Sequence, residues 1–192
     1  MGGMLAYDVA ARTGLASAVV ATNLLDASRP EVLQGLTRYR WQAVLLPLVL
    51  RTLRPVVDSV PVRARWISRM DAIANNPRVA SVIGRDPLSG GGWMPGRFWR
   101  TYLQAPRPVP PEAFTDIPVV LAHPAVDRMS DIALSRPFFN RLAGPKRLVM
   151  LDGAGRAPLE QPGFAQLWDV LRETLAAVCV SPGRSGAADA EL

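Results

Sequence analysis

The 192-residue sequence holds one cysteine, one histidine and, among 22 basic residues, a single lysine, Lys146. One cysteine excludes an intramolecular disulfide. One cysteine and one histidine cannot build a zinc site of any common kind. The glycine run Gly90-Gly91-Gly92 has neither the lysine nor the helix of a phosphate loop, so no cofactor is expected. Long apolar runs are lacking too. Trp41–Leu50 spans ten residues, contains Pro47 and is flanked by arginines, which is too short to cross a bilayer and reads as a buried helix or an interfacial segment. No secretory signal opens the sequence, because Met1-Gly2-Gly3 runs into an amphipathic stretch with no basic region before it. These absences point to a cytoplasmic protein, in which Cys179, set in an apolar helix-like run, reads as a buried inert thiol.

What is present is a globular composition: 49% apolar and 20% charged residues, enough for one domain with a real core or for one compact domain plus a helical insertion. The net charge of +6 is local. Between Pro30 and Arg107 stand 12 arginines against four acids, while the rest of the chain carries a balance of −2. With 21 of the 22 basic residues arginine, amid many Ala, Pro and Gly, the bias reads as a GC-rich coding habit and a solvated face. Nucleic acid is not an expected partner. An acidic partner or an anionic membrane surface is the alternative use of that segment.

Along the chain, helical spacing of Met4, Leu5, Val9 and Ala10 predicts a helix from Gly2 to Arg12 with an Asp8/Arg12 pair, stopped at Thr13-Gly14. Leu15–Leu25, with β-branched Val19, Val20 and Thr22, reads as a buried strand. Residues 29–107 are helix-like segments broken by proline: Glu31–Arg54, then Val60–Ile83 with Trp66, Ile67, Met70 and Ile73 on one face, a loop from Asp86 to Gly96, and an aromatic helix Arg97–Gln104. The proline-rich Ala105–Pro111 is a stiff connector. Ile117–Ala122 and Arg147–Leu151 read as two further strands, with a helix at Ile132–Leu142 between them that Pro137 interrupts. A final helix, Gly163–Val180, aligns Phe164, Leu167, Trp168, Leu171, Leu175 and Val178 in one stripe, and 181–192 reads as a disordered tail.

Two loops follow the two later strands. The first is Pro124-Ala125-Val126-Asp127-Arg128 and the second Gly153-Ala154-Gly155-Arg156, and both lie at carboxyl strand ends, where parallel sheets carry their chemistry. Strand, helical block, strand, Asp loop, helix, strand, Gly-x-Gly loop and terminal helix together resemble the carboxyl-terminal part of an α/β-hydrolase. The resemblance covers about residues 1 to 180. It implies a partial α/β fold of about three parallel strands, divided as 1–28 (elbow helix and strand), 29–107 (helical cap), 108–180 (remaining core) and 181–192 (tail). It reads Met1-Gly2-Gly3-Met4-Leu5-Ala6 as the start of the helix that follows the nucleophile serine, so that the chain begins one residue after it. It places Asp127 as the acid of an incomplete triad and Arg156 at the position of the family histidine.

Hydrolysis by that route needs a hydroxyl nucleophile, an imidazole to take its proton and an acid to orient the imidazole. Arg156 cannot be the base, because guanidinium stays protonated and offers only donors. An Asp127–Arg156 ion pair would instead tie two loops together. His123, the one histidine, lies at a strand end on the wrong strand for a base, and reads as a residue of the site rim. Ser89, before the three glycines, lacks the strand-to-helix context that activates a nucleophile and reads as part of a flexible loop; Ser185 sits in the tail. Asp26 reads as a cap for the first helix of the inserted block. The resemblance thus implies a chain without activity whose ancestral reaction was ester or lactone hydrolysis of a small apolar substrate, bound beneath a cap supplying Trp66, Trp93, Phe98, Trp99 and Tyr102. The expected partners are such a ligand and, through an uncovered apolar edge at Leu15–Leu25, a second copy of the chain. A noncatalytic binding module using the basic cap is the other reading.

Overall fold

The computed structural model describes residues 2–104 and 107–180. The chain starts with helix α1 (Gly2–Thr13), which Gly14 stops at φ +64, a left-handed conformation that favours glycine. The close partner of Asp8 on this helix is Arg107, whose Nη1 donates to Oδ2 at 2.6 Å across 99 residues of sequence, while Arg12 acts on the carboxylate through its charge. Strand β1 follows but covers only Val19–Ala21. The expected strand over Leu15–Leu25 is too long, because Leu15 is 86% exposed and the chain leaves the sheet after Ala21.

The inserted block comes next. It contains α2 (Pro30–Leu36), α3 (Arg40–Thr52), the single turn α4 (Arg54–Val57), β2 (Pro61–Arg63), α5 (Ala64–Ile67), α6 (Pro77–Arg85), β3 (Trp93–Pro95) and α7 (Gly96–Gln104). Strands β2 and β3 pair antiparallel across the 29 residues between them, where the sequence predicts a helix over the first and a loop over the second. Three-residue strands with Pro61 and Pro95 at their outer ends carry no alternation to detect. Helix α3 was expected to be buried or interfacial. It buries only Ala43 and Leu50 and leaves Trp41, Val44, Leu45 and Leu48 exposed.

The chain then returns through a short 3-10 turn (Pro111–Ala113) to β4 (Val119–Pro124), α8 (Ile132–Arg141), β5 (Lys146–Leu151) and α9 (Gly163–Val180). The main sheet is three-stranded and parallel, in the order β1-β4-β5, with Val19 beside Val119 and Val119 beside Lys146. Every residue of β4 is buried, as a central parallel strand covered on both faces requires. One face packs on α1 and α8. There Tyr7 lies 4.7 Å from Phe114 and 4.9 Å edge-on from Phe138, and its hydroxyl donates to the Val109 carbonyl at 2.8 Å. The other face, Val120, Ala122 and Leu151, packs against Val170 of α9 and Ala154.

Helix α8 begins at Asp131, whose side chain accepts from Ala133 N, and runs through Pro137 without a break. The stripe expected on α9 is displaced. Val170 and Leu167 meet the sheet, while Trp168 and Leu175 are exposed, and Cys179 is exposed rather than buried. The segment 181–192, and residues 105 and 106 of the connector, lie outside the described residues. Among the described residues, no helix is long and apolar enough to cross a membrane.

Candidate ligand site

All three strands of the sheet point their carboxyl ends at one region, and the loops that follow them meet there. After β1 comes Asn23, 4% exposed, against which the start of α1 is pressed: a Cβ on Gly3 would fall 2.0 Å from the Asn23 carbonyl oxygen. After β4 comes Asp127. Its side chain is fully buried and is held by its own loop: Oδ1 accepts from the backbone N–H groups of Met129 (2.8 Å) and Ser130 (2.9 Å), and Oδ2 accepts the Ser130 hydroxyl at 2.8 Å. Such a turn suits aspartate, whose carboxylate can satisfy the two N–H groups that follow it. After β5 comes Arg156. Its Nη1 donates to Ser130 Oγ and stands 3.5 Å from Asp127 Oδ2. Ser130 Oγ also lies 3.0 Å from Asn23 Oδ1, so the three loops share one buried polar cluster.

The anticipated meeting of Asp127 and Arg156 is therefore present, with a partner that sequence reasoning missed. Ser130 sits between the two charges and makes closer contacts than they make with each other. Arg156 is not the main support of the carboxylate. Its Nε and Nη2 have no hydrogen-bond partner among the described residues.

His123 is brought nowhere near a nucleophile. It stands at the end of β4 as expected, but it is 1% exposed and so buried below the rim, and its Nδ1–H donates to the Thr22 carbonyl at 3.2 Å. Burial holds its imidazole below the usual range, against the opposing pull of Asp127. Asp26 does not cap α2: its Oδ1 accepts from the backbone and hydroxyl of Ser28, and the residue before α2 is Arg29, whose side chain makes no cap. Ser185 lies outside the described residues.

Above the loops, the inserted block closes a cavity of about 260 Å³. Leu25, Met129 and Arg156 form its floor from the three core loops, and Leu33, Ile67 and Leu103 stand for the apolar walls that α2, α5 and α7 supply. Ser89, expected in a flexible loop, is part of the lining. Of the five aromatic side chains anticipated there, Trp99 and Tyr102 line the cavity. Trp66 and Trp93 do not: they stack edge to face on each other at the surface, 5.3 Å apart, and Phe98 likewise lies outside the lining. In that stretch it is Ile67, Met70 and Ile73 that face inward. Burial raises the Tyr102 phenol above its ordinary pKa even though Arg156 and Arg107 pull it down.

Two contacts hook the block onto the core beside this floor. Ala157 N donates to the Ile73 carbonyl at 3.0 Å. Asn75, in the amide orientation that satisfies both of its partners, donates to the Val126 carbonyl at 3.1 Å and accepts from Gly155 N at 3.2 Å. Gly155 is needed for this approach, since a Cβ there would lie 2.9 Å from the Asn75 side chain.

No protein-family model matches the chain. No curated protein matches it either. Solved structures do. A soluble variant of the monoglyceride lipase of Saccharomyces cerevisiae, in complex with a substrate analog, superposes with TM-score 0.65 at 16% identity over 92% of this chain. The monoacylglycerol lipase of Paleococcus ferrophilus gives TM-score 0.63 at 18% identity over 91% of the chain, and DcsB in complex with its substrate analogue gives 0.58 at 14% over 93%. The chain spans 62%, 65% and 62% of the lengths of those three proteins. At such identities the likeness establishes fold: a three-stranded parallel sheet flanked by helices and carrying an inserted block, a partial α/β-hydrolase fold.

Proposed function

We propose that this chain binds a small apolar molecule in the cavity between the inserted block and the strand-end loops, and that it does not hydrolyse what it binds. In this reading residues 29–107 act as a cap over a core made of 1–28 and 108–180, and α1 is the helix that follows the nucleophile turn of a hydrolase. The observation that carries the proposal is Arg156. It stands in the loop after the last strand, beside a buried aspartate, where hydrolases of this fold carry the base. A guanidinium can donate hydrogen bonds there but cannot take a proton. The hydroxyl nearest to it, Ser130 Oγ, is 1% exposed at the residue level and is bonded to Asp127, so it has no approach to a substrate. The apolar walls support retention of binding after loss of chemistry. A reducing cytoplasm is the compartment we propose for it.

The experiment is turnover of a p-nitrophenyl ester by the purified protein. The expected rate equals that of buffer. Turnover that travels with the folded protein through purification and disappears in Asp127→Asn would overturn the proposal.

One observation favours a second reading, in which the cap docks on an anionic membrane surface. Helix α3 presents Trp41, Val44, Leu45 and Leu48 to solvent, with Arg38 and Arg40 before them and Arg51 and Arg54 after. Apolar side chains framed by arginines suit an interface between acyl chains and acidic headgroups. Co-flotation with phosphatidylserine vesicles, lost at high salt and in Leu48→Glu, is the result this reading requires.

A further inference from the structure

We infer that the ligand of the capped cavity is a monocarboxylate with an apolar tail, and that Arg156 is the residue that receives its carboxylate. The inference rests on the reading above that the cavity holds a small apolar molecule, and it adds the polar end of that molecule.

The lining carries one formal charge. Of the described residues around the cavity, Arg156 alone carries a charged side chain, and the rest of the surface is dominated by leucine, isoleucine, methionine and aromatic side chains. Its side chain is 13% exposed, and its Nε and Nη2 are not among the fully buried polar atoms, so this partly buried guanidinium keeps an accessible edge. A buried cation needs an anion close by or hydrogen bonds to all its donors. Asp127 meets this need poorly. It lies 3.5 Å away, and both its oxygens are already occupied by Met129 N, Ser130 N and Ser130 Oγ. Only Nη1 of Arg156 is engaged by the core, which leaves Nε and Nη2, two donors on one edge of the fork, without a partner among the described residues. That edge matches the two oxygens of a carboxylate. A single cation in an apolar wall selects a single negative charge, and a phosphate dianion would find no second one.

Two further wall residues hold polar atoms that no described residue satisfies: Thr37 Oγ1 and Trp99 Nε1, both buried. Buried groups of this kind are uncommon and call for a partner. The Tyr102 hydroxyl, close enough to feel the Arg156 charge, is another polar group of the wall. The cavity volume, about 260 Å³, lies just under the range of roughly 300–1,000 Å³ usual for small-molecule sites, so the tail is short.

The test uses the purified full chain and three probes of equal length, octanoate, octanol and octylamine, in titration calorimetry, with intrinsic tryptophan fluorescence, to which Trp99 in the wall contributes, as a second readout. Octanoate is expected to bind at least about tenfold more tightly than octanol, the factor of a charge-assisted pair over a neutral one. Octylamine is expected to bind least. Arg156→Met should abolish the preference for octanoate over octanol, and residual octanol binding reports that the cavity is intact. Should Arg156→Met lose octanol as well, Arg156→Gln takes its place with the same expectation, since its amide can still donate to Ser130. Equal binding of octanoate and octanol by the unaltered chain would overturn the carboxylate inference and leave the apolar-ligand reading standing. An octanoate preference that survives both substitutions would also overturn it. Binding of none of the three probes would overturn both readings.

Discussion

Removing Asp127 and removing Arg156 should have very different effects on folding, although the two residues face each other. In Asp127→Ala the backbone N–H groups of Met129 and Ser130 lose their acceptor in a buried turn, and Arg156, 13% exposed, loses its nearest counter-charge. An unmet buried donor costs about 1–3 kcal/mol. Breaking a buried pair from one side costs about 3–5 kcal/mol in all, so about 4 kcal/mol is expected. In Arg156→Met the carboxylate keeps all three donors of its own loop and loses only a contact at 3.5 Å, while the new side chain is apolar in an apolar wall. That change also removes the hydrogen bond from Nη1 to Ser130 Oγ and should cost about 1 kcal/mol. The double variant removes the unpaired guanidinium along with the acid and should cost about 3 kcal/mol, less than Asp127→Ala alone, a coupling within the range of neighbouring groups. Urea unfolding followed by far-ultraviolet circular dichroism measures all three, provided the m-values agree. If Arg156→Met proves as costly as Asp127→Ala, the arginine supports the acid loop and the account of Arg156 as a residue with donors to spare is wrong.

Three other outcomes are expected. Burial lowers the His123 imidazole, so below about pH 6.5 the unfolded chain takes up a proton that the folded chain refuses. Stability should then fall with decreasing pH, by at most about 1.36 kcal/mol per pH unit, and the difference between the unaltered chain and His123→Gln in urea unfolding from about pH 7.5 to 5.5 isolates it. Burial, with Asp8 next, raises the Tyr7 phenol from 10.0 to about 12. The unfolded chain therefore ionises first, and stability should be lost as pH rises from about 10 to about 12; Tyr7→Phe should abolish that loss while costing about 1 kcal/mol at neutral pH through the hydrogen bond to Val109. Strand β1 has one neighbour, β4, and leaves its other edge unpaired among the described residues. Self-association through that edge should appear as a concentration-dependent mass in size-exclusion chromatography with light scattering, reduced by Val20→Lys; a monomer at all concentrations would refute it.

The parts of the fold that could be read in the sequence are those fixed by local chemistry. Strands β4 and β5 are aliphatic runs closed by proline or glycine, and their placement in a parallel sheet follows from the long segments between them. Strand β1 was overestimated because an apolar run does not say where pairing stops, and Leu15 and Leu24 look alike in sequence although one is 86% exposed and the other 0%. The meeting of Asp127 and Arg156 was legible from their positions just past two neighbouring strands. Ser130 was not, because its role depends on how one turn folds back on Asp127. The aromatic wall was half legible: Trp66 and Trp93 differ from Trp99 only in the face they present, and that is decided by the long-range pairing of β2 with β3, whose strands are too short to leave a pattern. The exposure of Cys179 and Leu175 depends on how far α9 extends along the sheet, which its own periodicity does not encode.

The inserted block leaves from the carboxyl end of β1 and returns to the amino end of β4, its immediate parallel neighbour in the sheet. Cutting it out and closing the gap with a tight turn is therefore impossible, since the chain would have to travel the length of the sheet to start the next strand, a path of about a dozen residues. Exchange is a different matter. A foreign block would have to span the same two ends and reproduce the clasp of Ile73 and Asn75 on the loops at Ala157 and Val126. The sheet and its arginine would then serve as a fixed socket, and the size and contour of the accepted tail would be set by whichever block is plugged into it.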